Sequence, residues 1–384
     1  MTEKKGDASP PQKKADFPPV RACLFDMDGL LIDSEDIYTL VTNIILREHG
    51  RPDLPWHIKA QLQGRPGPEA SKIFHTWAQL PLDLSEYNSR LAYLQQQHFP
   101  STAPLPGVPS LLQTLSTSPS KVNLALATSS HAKNFTLKTT HLQDLFSVFQ
   151  GEQRVLGDDP RVERGRGKPC PDIYLLALET INAPIRRRNA TRKEKNQGEE
   201  LEKEVSPHEC LVFEDSVPGV EAGRRAGMRV IWCPHPGLRK EYAGREREVL
   251  TGTSTPSSKE AMEAVNALNE DALKGIKDVS IDDVLKAQTA GTNETLKSWS
   301  GNVTPGGGSA TLKSFAAGLG DGSSGTGMET PRPDVSEEEI EKAIDGTISA
   351  LDDGWAELLD TLGDFNYTKY GIAVPTCADV KQKS

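Results

Sequence analysis

Phe25-Asp26-Met27-Asp28-Gly29-Leu30-Leu31-Ile32-Asp33-Ser34 follows directly on the apolar run Ala22-Cys23-Leu24. The run predicts a buried strand over residues 20–25, and the two aspartates fall at its end. Side chains two apart on extended chain point to the same side. Asp26 and Asp28 are therefore expected to face one ligand, with Gly29 permitting the sharp turn after them. A carboxylate is a competent nucleophile toward phosphorus. A second acid two residues on is placed to protonate a leaving alkoxide and later to activate water. An Asp-x-Asp pair alone more often marks an exposed turn. The apolar strand before it and the glycine after it are what favour chemistry here.

Outward from this stretch, apolar runs alternate with helical patterns. Strands are expected at residues 122–127, 146–149, 210–213 and 229–233. Helices are expected from Leu105-Pro106-Gly107-Val108 to about Ser116, and over residues 132–138, 173–180 and 219–226. Continuously apolar strands alternating with helices indicate a parallel sheet covered on both faces. In such sheets ligands sit beyond the carboxyl ends of the strands. Between residues 35 and 98 the pattern is helical, with Tyr38, Val41, Ile44, Ile45, Ile58 and Leu62 at helical spacings. Pro52, Pro55, Pro66 and Pro68 break that stretch into several helices.

Three further polar clusters follow apolar runs or lie in loops that reach the same end. Thr128-Ser129-Ser130 offers hydroxyls and N–H groups to a phosphoryl oxygen, with Thr128 the expected contact and Ser129 beside it. A helix cap is the competing role for the serines. Lys168, in Gly167-Lys168-Pro169-Cys170-Pro171-Asp172, is placed to neutralise charge between nucleophile and phosphate. Glu214-Asp215-Ser216 ends another strand. Mg2+ takes octahedral oxygen ligands, and Asp26, Asp215, Glu214 and the Asp28 carbonyl form a sufficient set. Asp215 or Ser216 could equally cap the next helix.

The chain has 384 residues, 36% hydrophobic, with a net charge of -10 and a mean hydropathy of -0.50. These values predict a normal core plus long disordered segments. No basic stripe with aromatics appears, so nucleic-acid binding is not expected. No apolar run reaches membrane-spanning length, and residues 1–19 lack the apolar segment of a signal peptide. The five cysteines are scattered, odd in number and without CxxC spacing, as for reduced thiols of a cytoplasmic protein. From residue 248 the chain turns Ser/Thr/Gly-rich. Thr304-Pro305-Gly306-Gly307-Gly308-Ser309 reads as low complexity, since no strand leads into it and Leu312 rather than Gly precedes Lys313. Trp355, Leu358, Leu359, Leu362 and Phe365 then predict an amphipathic helix docking on the core.

Taken together, Phe25 to Gly29, Ala127-Thr128-Ser129-Ser130, Gly167-Lys168-Pro169 with Pro171-Asp172, and Phe213-Glu214-Asp215-Ser216 with Gly219-Val220-Glu221-Ala222 resemble the haloacid dehalogenase superfamily of phosphohydrolases. The resemblance covers about residues 20–244 and 352–372. It implies an α/β fold with a Rossmann-like parallel sheet and a small α-helical cap, to which the composition adds a long disordered insertion near the C-terminus. It implies a leader at 1–19, a core at 20–34 and 105–247, a cap at 35–104 and an insertion at 248–351. A core helix at 352–372 and a tail at 373–384 complete the division. By the same resemblance Asp26 is the nucleophile, Asp28 the acid/base and Lys168 the charge-stabilising lysine. Thr128, with Ser129, binds phosphate, and Glu214 and Asp215 form the acidic Mg2+ pair.

Within the superfamily the chain is most similar to pseudouridine-5'-phosphatase-like proteins of the helical-cap branch. That implies a monomer hydrolysing a small phosphorylated metabolite, with pseudouridine 5'-phosphate expected first. 2-Deoxyglucose 6-phosphate and glycerol phosphate are the alternatives. Arg65, in Gly64-Arg65-Pro66, is the expected cap contact to the leaving group. Sugar phosphomutases of this branch tend to carry a histidine twelve residues beyond the nucleophile. Tyr38 stands there, which argues against a mutase. The departures are the insertion, Cys170 in place of an acidic residue, and added length over residues 161–166. A non-catalytic scaffold using the insertion for a partner of unknown kind is the rival from another class.

Overall fold

The computed structural model describes residues 17–65, 67–194, 200–252 and 353–375. The expected insertion lies almost wholly outside them, as do most of the leader, the tail and the Gly306 stretch.

The first strand, β1 (Ala22–Phe25), leads into α1 (Ser34–Glu48), α2 (Trp56–Leu62), α3 (Gly67–Ala78) and α4 (Leu84–His98). Next come α5 (Val108–Thr117), β2 (Asn123–Ala127), α6 (Ala132–Thr139), the short α7 (Gln143–Phe146), β3 (Arg154–Val155) and α8 (Asp172–Glu194). The order closes with β4 (Cys210–Glu214), α9 (Val217–Arg225), β5 (Arg229–Trp232), α10 (Pro236–Glu241), α11 (Glu246–Leu250) and β6 (Ala356–Leu358). The strands form one sheet in the order β3-β2-β1-β4-β5-β6, every pairing parallel. β1 is central, paired to β2 through Phe25↔Leu126 and to β4 through Phe25↔Phe213. Its carboxyl end therefore meets those of β2 and β4, where the order of the strands reverses.

Alternate residues of each strand enter two different cores. Ala22 and Leu24 pack with α8 and α9 through Tyr174, Ile181, Val220 and Ala222. Cys23 and Phe25 pack with α5 and with the C-terminal residues Leu362, Phe365 and Tyr370. Burial of both faces explains why the strands read as unbroken apolar runs. The cap has its own core, in which Val41 and Ile45 of α1 meet Phe74, Tyr87 and Leu94. Asp83 caps α4 in a reciprocal box with Glu86. The cap docks on the core where Trp56 stacks on His235, ring centres 4.7 Å apart.

Three expectations are corrected. The helix expected over residues 352–372 is strand β6 followed by two 3-10 turns. Leu358 and Leu359 do sit one helical turn beyond Trp355. However, Ala356 and Leu358, two apart on β6, enter one core, while Leu359, Leu362 and Phe365 beyond them enter the other. Residues 146–149 are not a strand. Phe146 ends α7, and Phe146 and Phe149 fill the core beneath Phe25, while the edge strand is the two-residue β3. The helix expected over residues 173–180 runs on as α8 through Glu194, with Arg186 paired to Glu204 at 2.5 Å and Arg188 to Glu202 at 2.8 Å. Phe17, expected in the leader, packs edge-on against Trp355 at 4.8 Å. Of the cysteines, Cys23, Cys170, Cys210 and Cys233 are free thiols; Cys377 lies outside the described residues.

Candidate active site

The carboxyl ends of β1, β2 and β4 bring the four polar clusters together. Asp26 continues β1, its N–H bonded to the Phe213 carbonyl at 3.0 Å. The Gly29 backbone then turns at φ +77°, and a Cβ there would stand 2.4 Å from Asp215 Oδ2. No side chain fits that turn, so glycine is required twice over.

Lys168 is 2% exposed. Its Nζ donates to Asp26 Oδ1 at 2.5 Å and lies 2.6 Å from Glu214 Oε1. Glu214 also accepts from the Tyr174 hydroxyl at 2.6 Å, and its other oxygen takes the N–H and hydroxyl of Ser216. Ser216 in turn caps α9 through Gly219 N–H, so the capping expected of this segment is present. The Trp232 indole holds the Asp215 carbonyl at 2.9 Å. Oxygens of Asp26, Glu214 and Asp215 lie within 4.8 Å of one another, all buried. Burial raises the Asp26 carboxyl to about 7, with Glu214 and Asp28 adding to it and Lys168 opposing. Burial followed by the Glu214 and Asp26 charges drives Asp215 well above the usual carboxylate range. Three buried carboxylates share a single ammonium, and this excess of negative charge and oxygen donors suits a divalent cation.

Asp28 faces a different set. Its carboxylate accepts from Ser34 at 2.5 Å, from Ser130 at 2.6 Å and from Lys138. Thr128 Oγ1 lies 3.5 Å away. Burial pushes the Asp28 carboxyl up, but the Lys138 ammonium and these hydrogen bonds outweigh it and hold it below its ordinary value. Asp28 contributes no carboxylate to the acidic cluster.

The sequence reading missed Lys138. It is fully buried, 2.6 Å from Ser130 Oγ and 3.3 Å from the Tyr38 hydroxyl, with the Tyr38 and Phe99 rings each 5.1 Å from its Nζ. The one available signal was its position on α6 directly after Thr128-Ser129-Ser130. Ser130 rather than Ser129 has the hydroxyl that reaches Asp28; Ser129 is half-buried beside it. Arg65 pairs within the cap, Nε on the Gln61 carbonyl at 2.8 Å and Nη1 at 3.5 Å from Glu69. Gln63, two residues earlier, reaches the acidic cluster by donating to Asp215 Oδ2 at 2.5 Å.

A doubly covered parallel sheet with a buried carboxylate–lysine centre at its switch point, under a helical cap, defines a capped α/β hydrolase. The model of the haloacid dehalogenase-like hydrolases matches residues 20–227, and the chain belongs to that family. It is similar to a protein of Saccharomyces cerevisiae named a probable pseudouridine-5'-phosphatase, 43% identical over 56% of this chain and 84% of that one. A Drosophila melanogaster protein of the same name is 34% identical over 60% of this chain and 89% of that one. The (DL)-glycerol-3-phosphatase 2 of Arabidopsis thaliana is 32% identical over 59% of this chain and 85% of that one. The chain is an enzyme, a hydrolase of that family. Among the described residues no helix is long and apolar enough to cross a membrane.

Proposed function

We propose that the chain is a Mg2+-dependent phosphomonoesterase acting on small sugar or nucleoside monophosphates, pseudouridine 5'-phosphate first, through an aspartyl-phosphate on Asp26. The observation that carries this is the Asp26 carboxylate clamped by buried Lys168 inside the acidic cluster, 2.5 Å from its Nζ. Asp26 and Asp215 are the expected direct metal ligands. Both Glu214 oxygens are occupied by Lys168, Tyr174 and Ser216, which suits Glu214 to orienting the pair. Mg2+ bound there supplies charge neutralisation for the incoming phosphate.

An Asp26 oxygen attacks phosphorus and the ester P–O bond breaks, the leaving oxygen taking a proton from Asp28. Water then attacks the aspartyl-phosphate, Asp28 takes a proton from it, and the P–O bond to Asp26 breaks. Lys168 offsets charge on Asp26 and the phosphoryl oxygens, and Thr128 with the N–H groups after it holds one of those oxygens. Asp28 as it stands is suited to the second step, because Lys138 favours its ionised form. To donate in the first step it must part from Lys138. Because the second step needs ionised Asp28, Lys138→Met is expected to slow that step and lower kcat about tenfold to a hundredfold, and to move the acidic limb of the pH–rate profile to higher pH. Unchanged kcat and profile would remove Lys138 from the reaction.

The raised Asp26 and Asp215 carboxyls have a consequence for stability. From the ordinary carboxylate range up to about 7 for Asp26, the metal-free folded protein holds more protons than the unfolded chain, and the raised Asp215 carboxyl acts in the same direction. Its stability therefore falls as pH rises through that window. Mg2+ binding should offset the loss, raising Tm more at pH 8 than at pH 5. Thermal melting with and without MgCl2 checks this, and an equal shift at both values would count against metal in the cluster.

The Arabidopsis relative named for glycerol-3-phosphatase keeps glycerol phosphate as the second substrate. A panel of sugar and nucleoside monophosphates, assayed for phosphate release with and without Mg2+, ranks them. Product phosphate still attached to the sugar at a new position would instead show a mutase. No release from any ester would favour the scaffold.

A further inference from the structure

One side chain between the cap and the acidic cluster has no use in the chemistry above. Gln63 follows α2 and is 7% exposed. Its Nε2 donates to Asp215 Oδ2 at 2.5 Å. The carboxamide thus presents its NH2 to Asp215 and turns its carbonyl oxygen elsewhere. That oxygen, Oε1, is buried and has no hydrogen-bond partner among the described residues. Buried side-chain acceptors are paired in the large majority of cases, and an exception calls for a cause. The segment itself is firmly docked. At Gly64, φ +73°, a Cβ would stand 2.3 Å from Ser216 Oγ. Its neighbouring cations are already engaged: Lys59 with Glu35 and Thr39, and Arg65 with Gln61 and Glu69.

We propose that Gln63 is a specificity-determining residue, its carboxamide oxygen accepting a hydrogen bond from a leaving-group hydroxyl close to the scissile ester. This rests on the phosphomonoesterase reading of the same site. The NH2 half ties the cap to Asp215 whatever the substrate. The carbonyl half accepts from an O–H or N–H donor. Sugar, ribose and glycerol leaving groups bring such a donor within a few bonds of the phosphate. A simple alkyl leaving group brings none and leaves the oxygen buried and unpaired. A site built around a hydrogen bond discriminates most strongly against the analogue that lacks it. Because Gln63 is carried by the cap, the discrimination operates when the cap is closed.

The test compares full-length wild type with Gln63→Met and Gln63→Leu on glycerol 3-phosphate and n-propyl phosphate, in MgCl2. The two esters share a carbon skeleton and differ in their hydroxyls. The ratio of their kcat/KM values is taken within one preparation, so a partly unfolded sample does not alter it. The expected result is a wild-type ratio well above one that falls about tenfold to a hundredfold in both variants. Mg2+ affinity, measured by calorimetry without substrate, reads the NH2 half separately. A ratio that stays constant while both rates fall overturns the proposal and leaves Gln63 as a support for Asp215. A wild-type ratio near one overturns it as well. Failure of wild type to release phosphate from these two esters and from every ester of the sugar and nucleoside monophosphate panel instead brings down the phosphomonoesterase reading, and this inference with it.

Discussion

Asp26→Asn is expected to reduce phosphate release by about four orders of magnitude or more, on every ester the wild type accepts. Removing a nucleophile from a covalent mechanism leaves only binding and electrostatic stabilisation. The change is close to isosteric. Asn keeps an oxygen for Lys168, and the Lys168–Glu214 pair at 2.6 Å is untouched. The fold should therefore survive, and circular dichroism with thermal melting checks that it does. The carboxamide also removes one of the three carboxylates of the acidic cluster, so Mg2+ binding should weaken alongside. Phosphate release from a sugar and nucleoside monophosphate panel, with and without Mg2+, decides the matter. A variant that keeps a wild-type rate would take the nucleophile away from Asp26.

Lys168→Met should damage both stability and rate. Nζ of Lys168 stands between Asp26 at 2.5 Å and Glu214 at 2.6 Å, and all three residues are buried. Deleting the cation leaves two carboxylates facing each other without compensation. Breaking a buried ion pair from one side typically costs about 3–5 kcal/mol. Part of that is recovered if the carboxylates take up protons, at the expense of an ionised nucleophile. The rate should fall about a hundredfold to a thousandfold beyond any folding loss, as for removal of one charge-stabilising donor. Urea unfolding gives the first quantity, and single-turnover release on the folded fraction gives the second. Wild-type values of both would mean that Lys168 is a spectator.

Legibility in the sequence follows distance along the chain. Asp26, Asp28, Thr128, Lys168, Glu214 and Asp215 were each visible because local rules mark them. An apolar run buried on both faces ends at a polar cluster, and a parallel sheet aligns such ends. Lys138 was invisible for the opposite reason. It touches an aspartate 110 positions away, and a lone lysine on a helix carries no local sign of burial. Gln63 shows the same gap, since its partner Asp215 lies 152 positions distant. Ser129 and Ser130 differ by one position, and only the turn after β2 settles which hydroxyl meets Asp28.

The C-terminal segment makes the point most sharply. Trp355, Leu358, Leu359 and Leu362 fit a helical stripe by spacing. The free edge of β5 offers unpaired backbone groups, and β6 satisfies them through Val230↔Ala356 and Trp232↔Leu358. Four residues of side-chain pattern do not outweigh a ladder of backbone hydrogen bonds and entry into two cores at once. What the residues alone dictate are the four inner strands, the helices of the cap and the chemical types gathered at the sheet's carboxyl edge, because these depend on neighbours a few positions apart. The lysine that holds Asp28, the glutamine that meets Asp215 and the sixth strand depend on surfaces that exist only once remote segments have packed, and long-range packing is what assigns them.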